Sequence, residues 1–85
     1  MRYRVDIPRK VQRVIDALPA SERGRVSHAI EALGDDPRPP ATKRLTGVPL
    51  WRIRVGDLRV VYSIWDKEQL VIVTKVSRRN ERTYD

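Results

Sequence analysis

The chain has 85 residues, of which 40% are hydrophobic and 34% are charged, a composition typical of one globular domain and not of a disordered chain. It contains no cysteine and a single histidine, His28. This excludes disulfides and thiol nucleophiles, and it argues against histidine-based metal sites and a Ser-His-Asp triad. No apolar run approaches the roughly 20 residues of a membrane helix, and the first residues lack the apolar stretch of a signal peptide. We therefore expect one cytoplasmic domain over residues 1–85 that uses no metal and no cofactor.

The second half of the chain carries most of the excess positive charge. There are 18 Lys and Arg residues against 11 Asp and Glu residues, a net charge of +7. Residues 1–42 have a net charge of +2, and residues 43–85 have a net charge of +5. This asymmetry suits a polyanion such as nucleic acid, or an acidic protein partner. A basic surface without any specific partner explains the charge equally well.

The first third of the chain predicts a strand followed by two helices. Residues 3–7 alternate and predict a short strand, and Pro8 suits the first position of a helix. Apolar residues at helical spacing then form two stripes, with Ser21 as the expected N-cap of the second helix and Gly34 as its stop. The stripes are Val11, Val14, Ile15 and Leu18, then Val26, Ala29, Ile30 and Leu33. The short connection predicts a helical hairpin that packs against a sheet, while another of its faces could bind a partner.

The remainder of the chain predicts a proline-rich loop over residues 35–49 and then three strands. Residues 51–55 and 60–64 alternate, and the Gly56-Asp57 turn between them suits a type II′ hairpin. Residues 70–76 form a nearly unbroken apolar run, as expected of a central strand buried on both faces. The predicted fold is therefore α+β, in the order β-α-α-β-β-β: a four-stranded antiparallel sheet with the N-terminal helical hairpin on one face.

The predicted hairpin places two arginines opposite each other. With Gly56-Asp57 as the loop, Arg54 lies opposite Arg59, and Arg52 lies opposite Val61. Directly opposed like charges destabilise a hairpin, whereas two guanidinium groups aimed at one spot form a site for phosphate. In the alternative interpretation, both side chains point apart into water or pair with carboxylates. The other groups that could join this site are Lys43, Arg44, Arg78, Arg79, Arg82 and Tyr84.

These residues carry a resemblance to a known family. Residues 43–47 (KRLTG), 50–62 (LWRIRVGDLRVVY) and 76–79 (VSRR), together with Tyr84, resemble the RelE family of toxins. The resemblance covers most of the chain and is most specific over residues 43–62. It implies the RelE-like fold and a ribosome-dependent endoribonuclease. Such toxins cut mRNA in the ribosomal A site by metal-free attack of a 2′-hydroxyl on the adjacent phosphate.

The resemblance also implies roles for individual residues. Arg59 matches an arginine that stabilises the phosphate in the transition state. Arg79 matches an arginine that is linked to protonation of the leaving group. Tyr84 matches a tyrosine that stacks on the RNA. Arg52 and Arg54 match two basic positions that are lysines in some members. Because arginine is a poor general base, two alternatives follow: Lys43 assists here, or Arg54 acts by electrostatics alone. Lys43, Arg44, Arg52, Arg78 and Arg82 are the expected RNA-binding residues.

The resemblance further implies a cognate antitoxin, RelB-like, acidic and partly disordered, which folds on contact. We expect it to cover the basic site, to dock along the helical hairpin, or both.

Three other functions compete with this interpretation. A ParE-like toxin would have the same fold and poison DNA gyrase without catalysis; the set of Arg59, Arg79 and Tyr84 favours RelE. A non-catalytic RNA-binding module would use the same basic surface, and an inactive family member would retain only antitoxin binding. His28 falls off the apolar stripe and is expected in solvent. Trp51 and Trp65 are expected to pack rather than stack on bases.

Overall fold

The computed structural model describes residues 2–78, which form two helices and five strands. The strands are β1 (Arg4–Asp6), β2 (Lys43–Arg44), β3 (Trp51–Val55), β4 (Leu58–Trp65) and β5 (Leu70–Arg78). The helices α1 (Arg9–Asp16) and α2 (Ala20–Ala32) both lie between β1 and β2 in the chain. This confirms the α+β class and the N-terminal helical hairpin.

The sheet differs from the prediction in two details. It has five strands in the order β1-β5-β4-β3-β2, because residues 43–44 of the predicted loop form the edge strand β2. It is mixed rather than antiparallel, because β1 runs parallel to β5 and pairs with it over residues 70–72. The chain between these two parallel strands contains both helices and the strands β2, β3 and β4, a long connection of the kind that parallel pairing requires.

The hairpin of β3 and β4 has the predicted register. Arg54 pairs with Arg59, Arg52 pairs with Val61, and Val55 pairs with Leu58. Gly56 has a φ of 60°, which a residue with a side chain adopts only at a cost. The Gly56-Asp57 turn therefore sets which side chains face each other across the two strands.

The helices cover one face of the sheet and form the core with it. Ile15 of α1 and Val26 and Ile30 of α2 are at most 2% exposed and pack against the inward residues of β3, β4 and β5. Two details of the helix prediction are wrong: α2 begins at Ala20 after Pro19, so Ser21 is not its N-cap, and Val14 is 43% exposed rather than in the core.

A β-bulge in β5 changes which residues face the helices. Tyr62 pairs with Val73 and Val61 pairs with Lys75, so Thr74 is an extra residue between them. The Thr74 hydroxyl donates a hydrogen bond of 3.1 Å to the Val61 carbonyl. Because one inserted residue reverses the alternation of a strand, Val76 faces the core like Val73 before it. The prediction that this strand is buried on both faces is wrong, since Thr74 is exposed.

Neither helix in the described part of the chain is long and apolar enough to cross a membrane.

Candidate functional site

The face of the sheet opposite the helices, here called the open face, gathers positive side chains. Residues 53, 55, 58, 60 and 62 contact the core, so the residues that alternate with them project from the open face. Cross-strand pairing confirms the grouping, since Lys43 pairs with Arg52, Arg54 with Arg59, and Val61 with Lys75. We call this set the basic face: Lys43, Arg52, Arg54, Arg59 and Lys75.

Arg59 is the most enclosed member of the basic face. Its strand, β4, lies between β3 and β5, with Arg54 paired on one side and Ser77 on the other. Arg59 is 3% exposed, whereas Arg54 is exposed. The pair of Arg54 and Arg59 is the neighbour of the Val55–Leu58 pair, which flanks the turn. The Cβ atoms of residues directly opposite each other in this way are about 4.5–5.5 Å apart. Arg54 is therefore the solvent-facing cation of the pair, and its guanidinium can bind a phosphate group directly beside the enclosed charge of Arg59.

Two further cations of the basic face line a groove at its edge. Lys43 and Arg52 lie beside Arg54 there, and the groove has a volume of about 490 Å³. The groove is also lined by residues 45, 46 and 48 of the loop after β2. The predicted cations Lys43, Arg52, Arg54 and Arg59 are thus all brought to one face of the sheet.

Arg44 also lines this groove but has a second partner. It pairs with Trp51 across β2 and β3, and its guanidinium carbon lies 6.0 Å from the centre of the indole ring. Arg38 lies over the same ring at 5.0 Å. Trp51 is half-buried against the core, as predicted, and acts as a platform for two arginines. Trp65 was predicted to pack and does not, since it is 49% exposed.

Arg78 does not reach the basic face. It pairs with Leu58 on the helix side of the sheet and makes two hydrogen bonds, of 2.7 and 2.9 Å, to the carboxylate of Glu22 in α2. These bonds hold the pKa of Glu22 below its ordinary value. The bulge at Thr74 is the physical reason, because unbroken alternation would have turned Arg78 to the open face. Arg79, Arg82 and Tyr84 lie outside the described residues.

The loop before β2 is fastened by a buried tyrosine. Tyr62 is fully buried in β4, and its hydroxyl donates a hydrogen bond of 2.8 Å to the Pro37 carbonyl and also hydrogen-bonds to the Thr42 hydroxyl. Thr42 in turn contacts the carbonyl of Arg52. Burial raises the pKa of Tyr62 above its ordinary value. This network holds the chain that leads into Lys43 against the strand that carries Arg52 and Arg54.

A second network fastens the same loop from the outside. Arg38 makes hydrogen bonds of 3.2 and 3.0 Å to the two carboxylate oxygens of Asp66, which also accepts one of 2.6 Å from the Tyr3 hydroxyl. The bonds from Arg38 and Tyr3 hold the pKa of Asp66 below its ordinary value. Three distant parts of the chain therefore meet beside Trp51.

Sequence reasoning missed both networks and the contribution of Lys75. The polar pair Thr74-Lys75 interrupts the apolar run of β5, and this was the available signal of a bulge. The partners of Tyr62 and Asp66 are distant in sequence and follow only from the folded chain.

The fold and the basic face define a class of small α+β protein in which two helices back a sheet with an arginine-rich open face. The family model described as the ParE toxin of type II toxin–antitoxin systems, parDE, matches residues 5–83. The RelE1 protein of Methanocaldococcus jannaschii is 34% identical over 84 residues, which is 93% of this chain and 92% of that protein.

Solved structures agree with these sequence comparisons. The chain is similar to RelE in the RelE–RelB complex of Pyrococcus horikoshii, with a TM-score of 0.84, 30% identity, and coverage of 98% of this chain and 100% of that one. It also has the fold of a chain in the RelBE2 toxin–antitoxin complex of Mycobacterium tuberculosis, with a TM-score of 0.80, 23% identity and 95% coverage of both chains. The chain belongs to the RelE/ParE superfamily and is a RelE-type toxin of a type II toxin–antitoxin system.

Proposed function

We propose that this toxin is a ribosome-dependent endoribonuclease that cleaves mRNA in the A site, by attack of a ribose 2′-hydroxyl on the adjacent phosphate and without a metal. The observation that carries the proposal is the pairing of Arg54 with Arg59 on the open face, beside Lys43 and Arg52. Negative charge builds up on the phosphate during this reaction. Fixed donors that stabilise such charge commonly contribute more to catalysis than any other single effect.

The reaction requires two proton movements. The bond from O2′ to phosphorus forms while the bond from phosphorus to O5′ breaks, which leaves a 2′,3′-cyclic phosphate and a 5′-hydroxyl. O2′ must lose a proton and O5′ must gain one. An arginine with a pKa above about 12 is a poor base, so we assign Arg54 and Arg59 to charge stabilisation and Lys43 to assisting deprotonation.

The family resemblance supports the remaining roles in this proposal. Arg79 would protonate the leaving group, and Tyr84 would stack on a base. Arg44, Arg52 and Arg82 would bind the RNA backbone. Arg78 is given no RNA contact, because its side chain is held by Glu22 on the helix side of the sheet.

The test is cleavage of mRNA on programmed ribosomes, with a ribosome-free control. We expect cuts in the A-site codon, and we expect Arg59→Ala to lower their rate by about 10²–10³-fold, as for the loss of one transition-state donor. Arg13→Ala is the matched control, because it removes the same charge from an exposed position on α1. Equal rates for Arg59→Ala and wild type would contradict the assignment.

The matching ParE family model supports a second candidate, a gyrase poison without catalysis. The two functions separate in one experiment. A protein that arrests growth and inhibits DNA supercoiling by purified gyrase, but leaves mRNA intact on ribosomes, is of the ParE kind. We expect the opposite pattern.

We also propose that the toxin binds an acidic, partly disordered antitoxin of the RelB kind. One structural relative is a RelE–RelB complex from Pyrococcus horikoshii, and another is the toxin–antitoxin complex RelBE2 from Mycobacterium tuberculosis. The open face suits such a partner, because it joins the basic face to an apolar end formed by Trp65, Leu70 and Ile72. The test is co-purification with the product of the neighbouring gene. Failure to form a complex would contradict the proposal.

A further inference from the structure

The groove at the edge of the basic face combines two kinds of wall. Lys43, Arg52 and Arg54 contribute cations to its lining. The loop after β2 contributes an aliphatic wall, in which Leu45 is half-buried and Val48 is 40% exposed. Within about 490 Å³, an anion and an apolar surface can therefore be bound side by side.

The aliphatic wall is held in place by the backbone of its own loop. The amide of Leu45 donates a hydrogen bond of 2.9 Å to the carbonyl of Leu50, which closes the loop at its base. Gly47 has a φ of 78°, so the chain reverses there and presents Val48 beside the groove. A loop closed in this way offers a preformed surface, which reduces the ordering cost of binding.

A nucleotide matches both walls. Its phosphate needs cations, and its base has flat apolar faces that gain from leaving water. Arg54 belongs both to this groove and to the pair with Arg59. A strand of RNA with one phosphate between Arg54 and Arg59 would thus continue directly into the groove. An acidic peptide would match the cations but would leave the aliphatic wall without an apolar partner.

We propose that this groove binds the nucleotide next to the cleaved phosphate, with its phosphate on Lys43 and Arg52 and its base against Leu45 and Val48. This proposal rests on the proposed action of the toxin on RNA. The aliphatic wall contacts a base through its face, so the groove accepts every base and favours purines for their larger area. Thr46, an uncharged polar residue, also lines the groove, and its hydroxyl can donate to or accept from a base edge.

The test is NMR of the Leu and Val methyl groups during titration with AMP, with inorganic phosphate, and with a peptide of six glutamates. We expect AMP to shift the methyl signals of Leu45 and Val48, and phosphate to leave them unchanged. Val48→Ser should weaken AMP binding about three- to eightfold, because only the exposed 40% of the side chain remains to be buried. Phosphate binding should not change.

Val14→Ser is the matched control, since Val14 is 43% exposed on α1, and we expect it to leave AMP binding unchanged. The proposal is overturned if the Leu45 and Val48 signals respond to the glutamate peptide but not to AMP, or if Val48→Ser binds AMP like the wild type. Because AMP binding requires neither ribosomes nor cleavage, AMP binding without mRNA cleavage would support the groove and refute the endoribonuclease.

Discussion

Replacing Tyr62 by Phe should destabilise the protein by removing one buried hydroxyl. That hydroxyl donates to the Pro37 carbonyl at 2.8 Å, and Pro37 is itself buried. Thr42 retains its contact with the Arg52 carbonyl, so the main loss falls on Pro37. Leaving a buried carbonyl without its donor costs about 1–3 kcal/mol. For a domain of this size, each kcal/mol lowers Tm by roughly 4–8 °C.

Urea unfolding monitored by circular dichroism measures this loss. We expect a lower midpoint with an unchanged dependence on urea, since the surface exposed on unfolding stays the same. Tyr3→Phe is the matched control, because it removes a hydroxyl that donates at 2.6 Å to Asp66 at an exposed position, where water can replace it. Equal midpoints for Tyr62→Phe and Tyr3→Phe would refute the role given to the buried network.

Tyr62 should also make the stability of the protein depend on pH in the alkaline range. Burial raises the pKa of Tyr62 in the folded protein above its ordinary value of 10.0. The contribution of the neutral tyrosine to stability is therefore complete below pH 10.0, and it is lost as the pH rises through the pKa of the folded state. The wild type should therefore lose stability above about pH 10, and Tyr62→Phe should lose less. Parallel pH profiles for the two proteins would contradict this.

Four further substitutions test separate parts of the structure. The lowered pKa of Glu22 gives the wild type stability that is present above the ordinary pKa of 4.5 and is lost as the pH falls through the folded value. Glu22→Gln should remove this contribution, so the Tm of the variant should change less with pH in the acid range. Arg59→Ala should leave Tm unchanged or higher, because it relieves like-charge repulsion across the hairpin; a loss of folding would make this arginine structural. Gly56→Ala should cost roughly 1–2 kcal/mol, because its φ of 60° is strained for alanine. Gly24→Ala, where an added methyl group meets nothing within 4 Å in α2, should instead stabilise the protein in the same thermal melts.

The elements that local patterns control were predictable from sequence. The Gly56-Asp57 turn determines the register of β3 and β4, and so the pairing of Arg54 with Arg59. The apolar spacing of the two helices similarly located Ile15 and Ile30 in the core. Such features depend on residues close together in the chain.

The features that sequence reasoning missed depend on contacts between distant residues. Parallel pairing of β1 with β5 joins Val5 to Val71, and no local pattern specifies such a partner. The bulge at Thr74 reverses the alternation of β5, which places Arg78 beside Glu22 instead of on the basic face. Val14 has the right spacing for the core but lies at the edge of its stripe.

The most direct test of the proposed chemistry uses an mRNA with a single 2′-deoxy nucleotide at the cleaved position in the ribosomal A site. The control mRNA carries the 2′-deoxy nucleotide one position away. We predict that the toxin cuts the control and leaves a 2′,3′-cyclic phosphate, and that it does not cut the mRNA lacking the attacking hydroxyl. Equal cleavage of both mRNAs, or a product with a different 3′ end, would contradict attack by the 2′-hydroxyl on a phosphate held by Arg54 and Arg59.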